Sequence, residues 1–205
     1  MPMLRGRTSL ALLAPLAAVS LAGCGINSIP TAEEEAKARW ADVQNQYQRR
    51  ADLIPNLVAS VQGAAAQERN VLREVTEARA NATRIQVSPE QLSDPAAMRA
   101  FSEAQARLST AIIPLQRLQE AYPDLKSNQN FLALQSQLEG TENRIAIART
   151  DYNQAVQAYN TRIRTFPDVI GAKVFYGAEP MVPFQATTPG AETAPEVKFD
   201  TNTSR

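Results

Sequence analysis

Apolar residues recur at seven-residue intervals along most of this chain. Trp40, Tyr47, Ile54, Val61 and Val75 fall on one line, with Val43, Leu57, Ala64, Val71 and Ala78 on the line beside it. Phe101, Leu108, Leu115 and Tyr122 repeat the spacing, with Met98 and Ile112 alongside. Phe131, Leu138, Ile145, Tyr152, Tyr159 and Phe166 carry it furthest, flanked by Leu134, Ala148, Val156 and Ile163. Seven residues make about two helical turns, so the pattern is the seam of α-helices packed side by side. Two polar residues interrupt the first pair of lines, Arg50 and Glu68.

Local signals bound the helices. Thr31 is expected to cap a helix from Ala32, with Glu34 at capping-box spacing and Glu33 to Glu35 favoured by the helix dipole. Pro55 costs an interior helix about 3 kcal/mol and disfavours a helical Ile54. One outcome is a single kinked helix over about 32–84, since the seam keeps its register through Pro55. The other is a reversal at Ala51 to Ile54 with Pro55 opening a new helix. Asp94-Pro95 starts the next helix, Pro114 is expected to kink it, and Tyr122-Pro123-Asp124 ends it. A last helix opens near Ser127 or Asn128 and runs to about Phe166. A straight first helix would leave Trp40, Val43 and Tyr47 uncovered, which is unfavourable at about 25 cal/mol per Å². The expected fold is therefore all-α, an antiparallel up-and-down four-helix bundle with long helices. The alternative is three long helices, the first kinked at Pro55. Val174-Phe175-Tyr176-Gly177 is expected to pack across the bundle end. The expected boundaries are a signal segment at 1–23, a tether at 24–31, the bundle at 32–178 and a disordered, Pro-rich tail at 179–205.

The first residues change the picture from fold to location. Arg5 and Arg7 precede an apolar run from Leu10 to Leu21, then Ala22, Gly23 and Cys24, the only cysteine. The run is about a dozen residues, short of the roughly 20 that span a bilayer. A basic end, a short apolar segment and small residues before a cysteine read as a bacterial lipoprotein signal cleaved before Cys24. Acylation of Cys24 would anchor the chain stably, since two acyl chains hold where one does not. A transmembrane anchor is the bland alternative. Gly25 stands where an Asp would retain a lipoprotein on the inner membrane, which favours the outer one. The 21 basic and 21 acidic residues balance, so nucleic acid is not an expected partner.

The chain has no histidine, which removes Ser-His-Asp and Cys-His catalysis and most zinc sites. It holds no phosphate-binding glycine loop and no calcium loop. No catalytic residue, cofactor or metal is expected. Two polar clusters stand out. Arg49, Arg50 and Asp52 lie beside Pro55, and Glu142, Asn143, Arg144 and Arg149 lie on or near the last seam. An interhelical network of Arg50, Asp52, Glu142, Asn143 and Arg149 that fixes register is the favoured reading. A polar pocket or partner patch is the functional one.

These stretches carry a family resemblance. Gln48-Arg49-Arg50-Ala51-Asp52-Leu53-Ile54-Pro55-Asn56-Leu57-Val58, with Trp40 before it and Glu74 to Ala80 after it, resembles the signature of the LemA family. So do Tyr122 to Lys126, Asn130-Phe131, Leu134-Gln135, Thr141 to Ile145, Ala148-Arg149, Tyr152-Asn153, Tyr159-Asn160 and Phe166-Pro167. The resemblance covers about residues 33–178. It implies a membrane-attached up-and-down helical bundle and carries no established activity. Family members usually have an amino-terminal transmembrane helix; a lipoprotein signal instead moves the bundle to the envelope side. The expected function is a non-enzymatic, lipid-anchored scaffold or interaction module on the periplasmic side, with envelope proteins such as membrane proteases as partners. The alternative is a ligand-binding or sensor bundle with a polar interior.

Overall fold

A computed structural model describes residues 27–185. The expected signal segment and Cys24 lie outside the described residues, as does the chain beyond Gln185. Within them the protein is all-helical, with no strand. In chain order the elements are α1 (Ser28–Ala64), α2 (Arg69–Arg84), a 3₁₀ turn (Pro89–Gln91), α3 (Pro95–Ala121), α4 (Pro123–Lys126), α5 (Gln129–Arg162), α6 (Asp168–Gly171) and a π-helical turn (Ala172–Tyr176).

The expected reversal at Pro55 does not occur. α1 runs through it to Ala64, and the chain turns at 65–68. Pro55 deprives the Ala51 carbonyl of its helical donor. Arg79 of α2 replaces that donor, its Nε donating to the Ala51 oxygen at 2.7 Å. The single helix over 32–84 is not found either, because the helix breaks between Ala64 and Arg69. Glu68, the polar interruption of the seam, sits in this break and accepts from the Tyr122 hydroxyl at 2.8 Å. α3 likewise runs unbroken through Pro114, an exposed residue.

The repair is testable. Arg79→Met is expected to destabilise the protein by about 1.5–3 kcal/mol, the worth of a hydrogen bond to a charged donor. In a Pro55→Ala background, where residue 55 again supplies its own N–H, the same change should cost markedly less. Urea unfolding of the four proteins measures the difference, and equal costs in both backgrounds would count against the repair.

The start of α1 also differs. It begins at Ser28, four residues ahead of the expected Ala32, and Thr31 is not its cap; the Thr31 hydroxyl donates back to the Asn27 carbonyl at 2.7 Å. The reason is Ile29, fully buried against α6, where a Cβ on Gly171 would lie 3.5 Å from its Cδ1. Glu33, Glu34 and Glu35 thus fall after the first turn and pair with Lys37 and Arg39. Other boundaries match their signals. Asp94 caps α3 through Ala96 N–H at 2.8 Å, with Pro95 behind it, and Asn128 caps α5 through Asn130 and Phe131. α5 ends at Arg162, so Phe166 leaves the seam and is exposed.

Neighbouring long helices run antiparallel. Trp40 packs on Tyr152 and Arg50 meets Glu142, which sets α1 against α5 along most of their length. Arg79 on Ala51 sets α2 against α1, and Gln105 on the Ala82 carbonyl sets α3 against α2. Trp40, Val43 and Tyr47 are therefore covered without a reversal at Pro55. Because α1 stops at Ala64, α2 folds back along it and Val87 arrives beside Trp40, whose Nε1 donates to its carbonyl at 3.0 Å.

The core has two apolar halves. One gathers Ile29, Trp40, Phe101, Tyr152 and Tyr159; the other gathers Leu57, Val75, Leu108, Leu115, Phe131 and Leu138. The first half has an extra cover. Residues 179–185, expected to be disordered, lie along α5 with Met181 and Phe184 buried. They are held because two buried apolar anchors and the hydrogen bonds of two asparagine side chains offset the entropy of ordering a short segment.

Candidate functional site

Among the described residues the buried polar side chains are few: Arg50, Gln105 and Thr141, which lie between the two apolar halves. Arg50 is only 1% exposed. Its Nη1 donates to Ser109 Oγ at 2.7 Å and to Glu142 Oε1 at 2.9 Å. Its Nη2 donates to the Gln105 carbonyl at 3.2 Å and to Gln105 Oε1 at 2.6 Å. The guanidinium stacks over Tyr47, 5.0 Å from the ring centre. Gln105 in turn donates to the Ala82 carbonyl at 3.2 Å. One arginine thereby ties α1, α3 and α5 at one level, and through Gln105 reaches α2. A charge in a low-dielectric interior needs this many partners, since desolvation costs several kcal/mol per ion.

The structure brings some of the predicted residues together and separates others. Arg50 and Glu142 form an ion pair, buried on the arginine side and 42% exposed on the carboxylate side. Asp52 is exposed and accepts from Gln48 on its own helix at 2.7 Å. Asn143 is exposed. Arg149 lies farther along α5, its guanidinium 4.8 Å from the Phe184 ring centre and its Nη2 donating to the Gln185 carbonyl. Gln105, Ser109 and Tyr47 complete the layer, and the sequence reading does not place them there. Gln105 has a signal all the same: it sits four residues after Phe101 and three before Leu108, on the apolar stripe itself.

An open groove of about 270 Å³ runs beside this layer, lined by Gln44, Gln48, Tyr47, Gln86, Phe101 and Gln105 among others. Its lining includes neither Arg50 nor Glu142. On the other side of Trp40, α5 holds residues 179–185 through two asparagines. Asn160 accepts from Met181 N–H at 2.9 Å and donates to the Met181 carbonyl at 2.8 Å. Asn153 does the same for Phe184, at 2.8 and 3.1 Å. Seven residues of helix rise about 10.5 Å and three extended residues span about 10 Å, so the two clamps match the strap they hold. The Tyr152 hydroxyl donates to the Val182 carbonyl at 3.0 Å between them.

Burial raises the phenol pKa of Tyr152 and of Tyr47, the latter opposed by the charges of Arg149 and Arg50. The hydrogen bonds that Lys37 donates to Glu33 and Glu34 raise its own pKa as well. All three groups hold their protons more tightly in the fold than in the unfolded chain. Their stabilisation is complete below the ordinary values near 10 and is lost as pH rises past them. Thermal unfolding is expected to be flat from about pH 7 to 9 and to fall from about pH 10 upward. Tyr152→Phe should shrink that alkaline fall; an unchanged slope would count against Tyr152 as a source.

Among the described residues no group of three or more Cys, Asp or Glu is placed to hold a metal, and no helix is long and apolar enough to cross a membrane. The LemA family model matches residues 39–199, which take in the polar layer, the groove and the strap. Magnetosome proteins MamQ 1 and MamQ 2 of Paramagnetospirillum magneticum (strain ATCC 700264 / AMB-1) are each 27% identical over 157 residues, 69% of this chain and 58% of theirs. Magnetosome protein MamQ of Magnetospirillum gryphiswaldense is 26% identical over 157 residues, with the same coverage. The match thus spans 58% of the length of these relatives.

Proposed function

The chain belongs to the LemA family, and from that premise we propose that it is a lipid-anchored, non-enzymatic scaffold at the cell envelope. Its four long helices are read as one up-and-down bundle. The observation that carries this reading is the polar layer. Its guanidinium, amide, hydroxyl and carboxylate groups bond to one another, which fixes helix register and leaves partner recognition to the outer faces. The anchor is Cys24, with Gly25 favouring the outer membrane and the bundle on the periplasmic side. Envelope proteins, membrane proteases among them, are the proposed partners. The magnetosome named for the relatives is theirs and is not carried over.

Labelled palmitate is expected to enter the protein, and Cys24→Ser is expected to block both labelling and processing. Unlabelled wild type, or a Cys24→Ser protein processed and membrane-bound as before, would overturn the anchor. Crosslinking in cells followed by mass spectrometry is expected to return envelope proteins. A second reading, a ligand or sensor module, has the groove beside Gln105 in its favour, since an occupant there would touch a partner of Arg50. A saturable thermal shift with a small molecule, lost in Gln48→Leu, would support it.

A further inference from the structure

The end of the molecule where α1 begins carries large apolar side chains that nothing among the described residues covers. Phe166 is 80% exposed, Ile170 54%, Val174 70% and Phe175 66%. They are not core residues left over. α6 and the π-helical turn bury their opposite face, Gly171 and Ala172, against Ile29. Ile170 and Val174 lie four apart, on one side of the turn. The expectation that Val174 and Phe175 pack across the bundle end fails here: the segment crosses the end, with these side chains turned outward.

Three further observations say what covers this face. The first is charge: the exposed Arg162, Arg164 and Lys173 are interspersed with these residues along the chain, the one acid between them, Asp168, accepts from Ser28 Oγ at 2.8 Å, and Glu33, Glu90 and Glu179 lie past Tyr176, where Lys37 stands among them. The second is chemistry: exposed aromatic and aliphatic side chains interspersed with Arg and Lys are what the headgroup–acyl boundary of an anionic bilayer accepts. The third is reach. Ser28 is bonded to Asp168, and its carbonyl accepts from Arg162 at 3.2 Å, so the chain enters the bundle at this face. Cys24 is four residues earlier, at most about 14 Å of extended chain. An acyl group there holds the face at the membrane surface.

We propose that the face formed by Phe166, Ile170, Val174 and Phe175 is a membrane-docking surface, which inserts into the interface of an anionic bilayer and sets the bundle end-on to it. The inference rests on the anchor reading for its orientation, and on the exposed residues for its chemistry. The test places a tryptophan at the face, Phe175→Trp, in the full acylated chain reconstituted in phosphatidylethanolamine–phosphatidylglycerol vesicles. Ile147→Trp, on the exposed flank of α5, is the control, and unsubstituted protein gives the Trp40 background. With lipids brominated near the headgroup, the Phe175→Trp protein is expected to lose emission and the Ile147→Trp protein to keep it. Quenching of Phe175→Trp no greater than that of Ile147→Trp overturns the proposal, whether a second copy or residues 186–205 cover the face. Val174→Trp is a second reporter should Phe175→Trp fold poorly. If Cys24 takes up no acyl chain, the anchor fails separately. The face is then judged with the unanchored full chain added to phosphatidylglycerol vesicles. There Phe166→Ser with Phe175→Ser should weaken binding roughly tenfold or more, and unchanged binding overturns the docking surface.

Discussion

Arg50→Ala is expected to destabilise the protein by about 3–5 kcal/mol, among the largest effects of any single substitution in α1. The change opens a cavity between the two apolar halves. It also strips Gln105 Oε1 and Ser109 Oγ of their donor. Glu142, 42% exposed, rehydrates when it loses the arginine, so little of the cost falls there. Glu142→Ala should cost less, about 1.5–3 kcal/mol, because Arg50 keeps Ser109 and Gln105 but loses its carboxylate acceptor. The double mutant is expected to fall short of the sum by about 1 kcal/mol. Arg50→Lys should recover only part of the loss, since an ammonium cannot bond both Gln105 oxygens and Ser109 from one plane. Urea unfolding followed by Trp40 emission measures all four. Strict additivity of Arg50→Ala and Glu142→Ala would mean that the pair contributes nothing to register.

The rest of the polar layer shows what a sequence conveys and what it hides. Arg50 is legible because it breaks an apolar line, and Glu142 because it follows Leu138 and precedes Ile145 on the last seam. Asp52 and Asn143 join them in the sequence only by adjacency. Helical geometry separates them, since residues one or two apart point to different faces. Both lie exposed, away from the layer. Arg149 keeps the line of Glu142, seven residues on, but reaches Phe184, whose segment reads as disordered by composition.

Pro55 teaches the same lesson for the fold. The rule that proline breaks a helix is local, and it holds as far as the helix alone is concerned. What offsets the cost is the guanidinium of Arg79, 28 residues from the Ala51 carbonyl in sequence, invisible until α2 is laid against α1. The true break left a fainter trace, a glycine at Gly63 and the polar Glu68 on an apolar line. The seams themselves, the caps at Asp94 and Asn128, and the stop at Tyr122-Pro123 need no tertiary partner and are readable for that reason.

Removing residues after Ala178 is expected to lower stability by several kcal/mol, although the segment lost is rich in proline and its described part, to Gln185, has no regular structure. Phe184 stacks on Trp40 with ring centres 5.7 Å apart, meets Tyr152 edge-on at 5.6 Å and lies tilted against Phe101 at 6.4 Å, closing an aromatic cluster that is otherwise open. Phe184→Ala alone should cost about 3–4 kcal/mol, the usual loss for a buried phenylalanine. Asn153→Ala should cost about 1–2 kcal/mol, because it leaves a backbone N–H and C=O of Phe184 without partners at a half-buried site. Asn160→Ala should do the same at Met181. The combined Asn153 and Asn160 variant is expected to approach the truncation in cost, since the strap then keeps its apolar anchors but loses the register that seats them. Trp40 is the only tryptophan and is buried, so its emission reports the event directly. It should shift to longer wavelength in the truncated protein and in Phe184→Ala, while helical circular dichroism stays near that of wild type. An unfolding midpoint and Trp40 emission both unchanged by the truncation would mean that the strap follows the helices without supporting them. The compositional reading of residues 179–185 as tail would then be the better one.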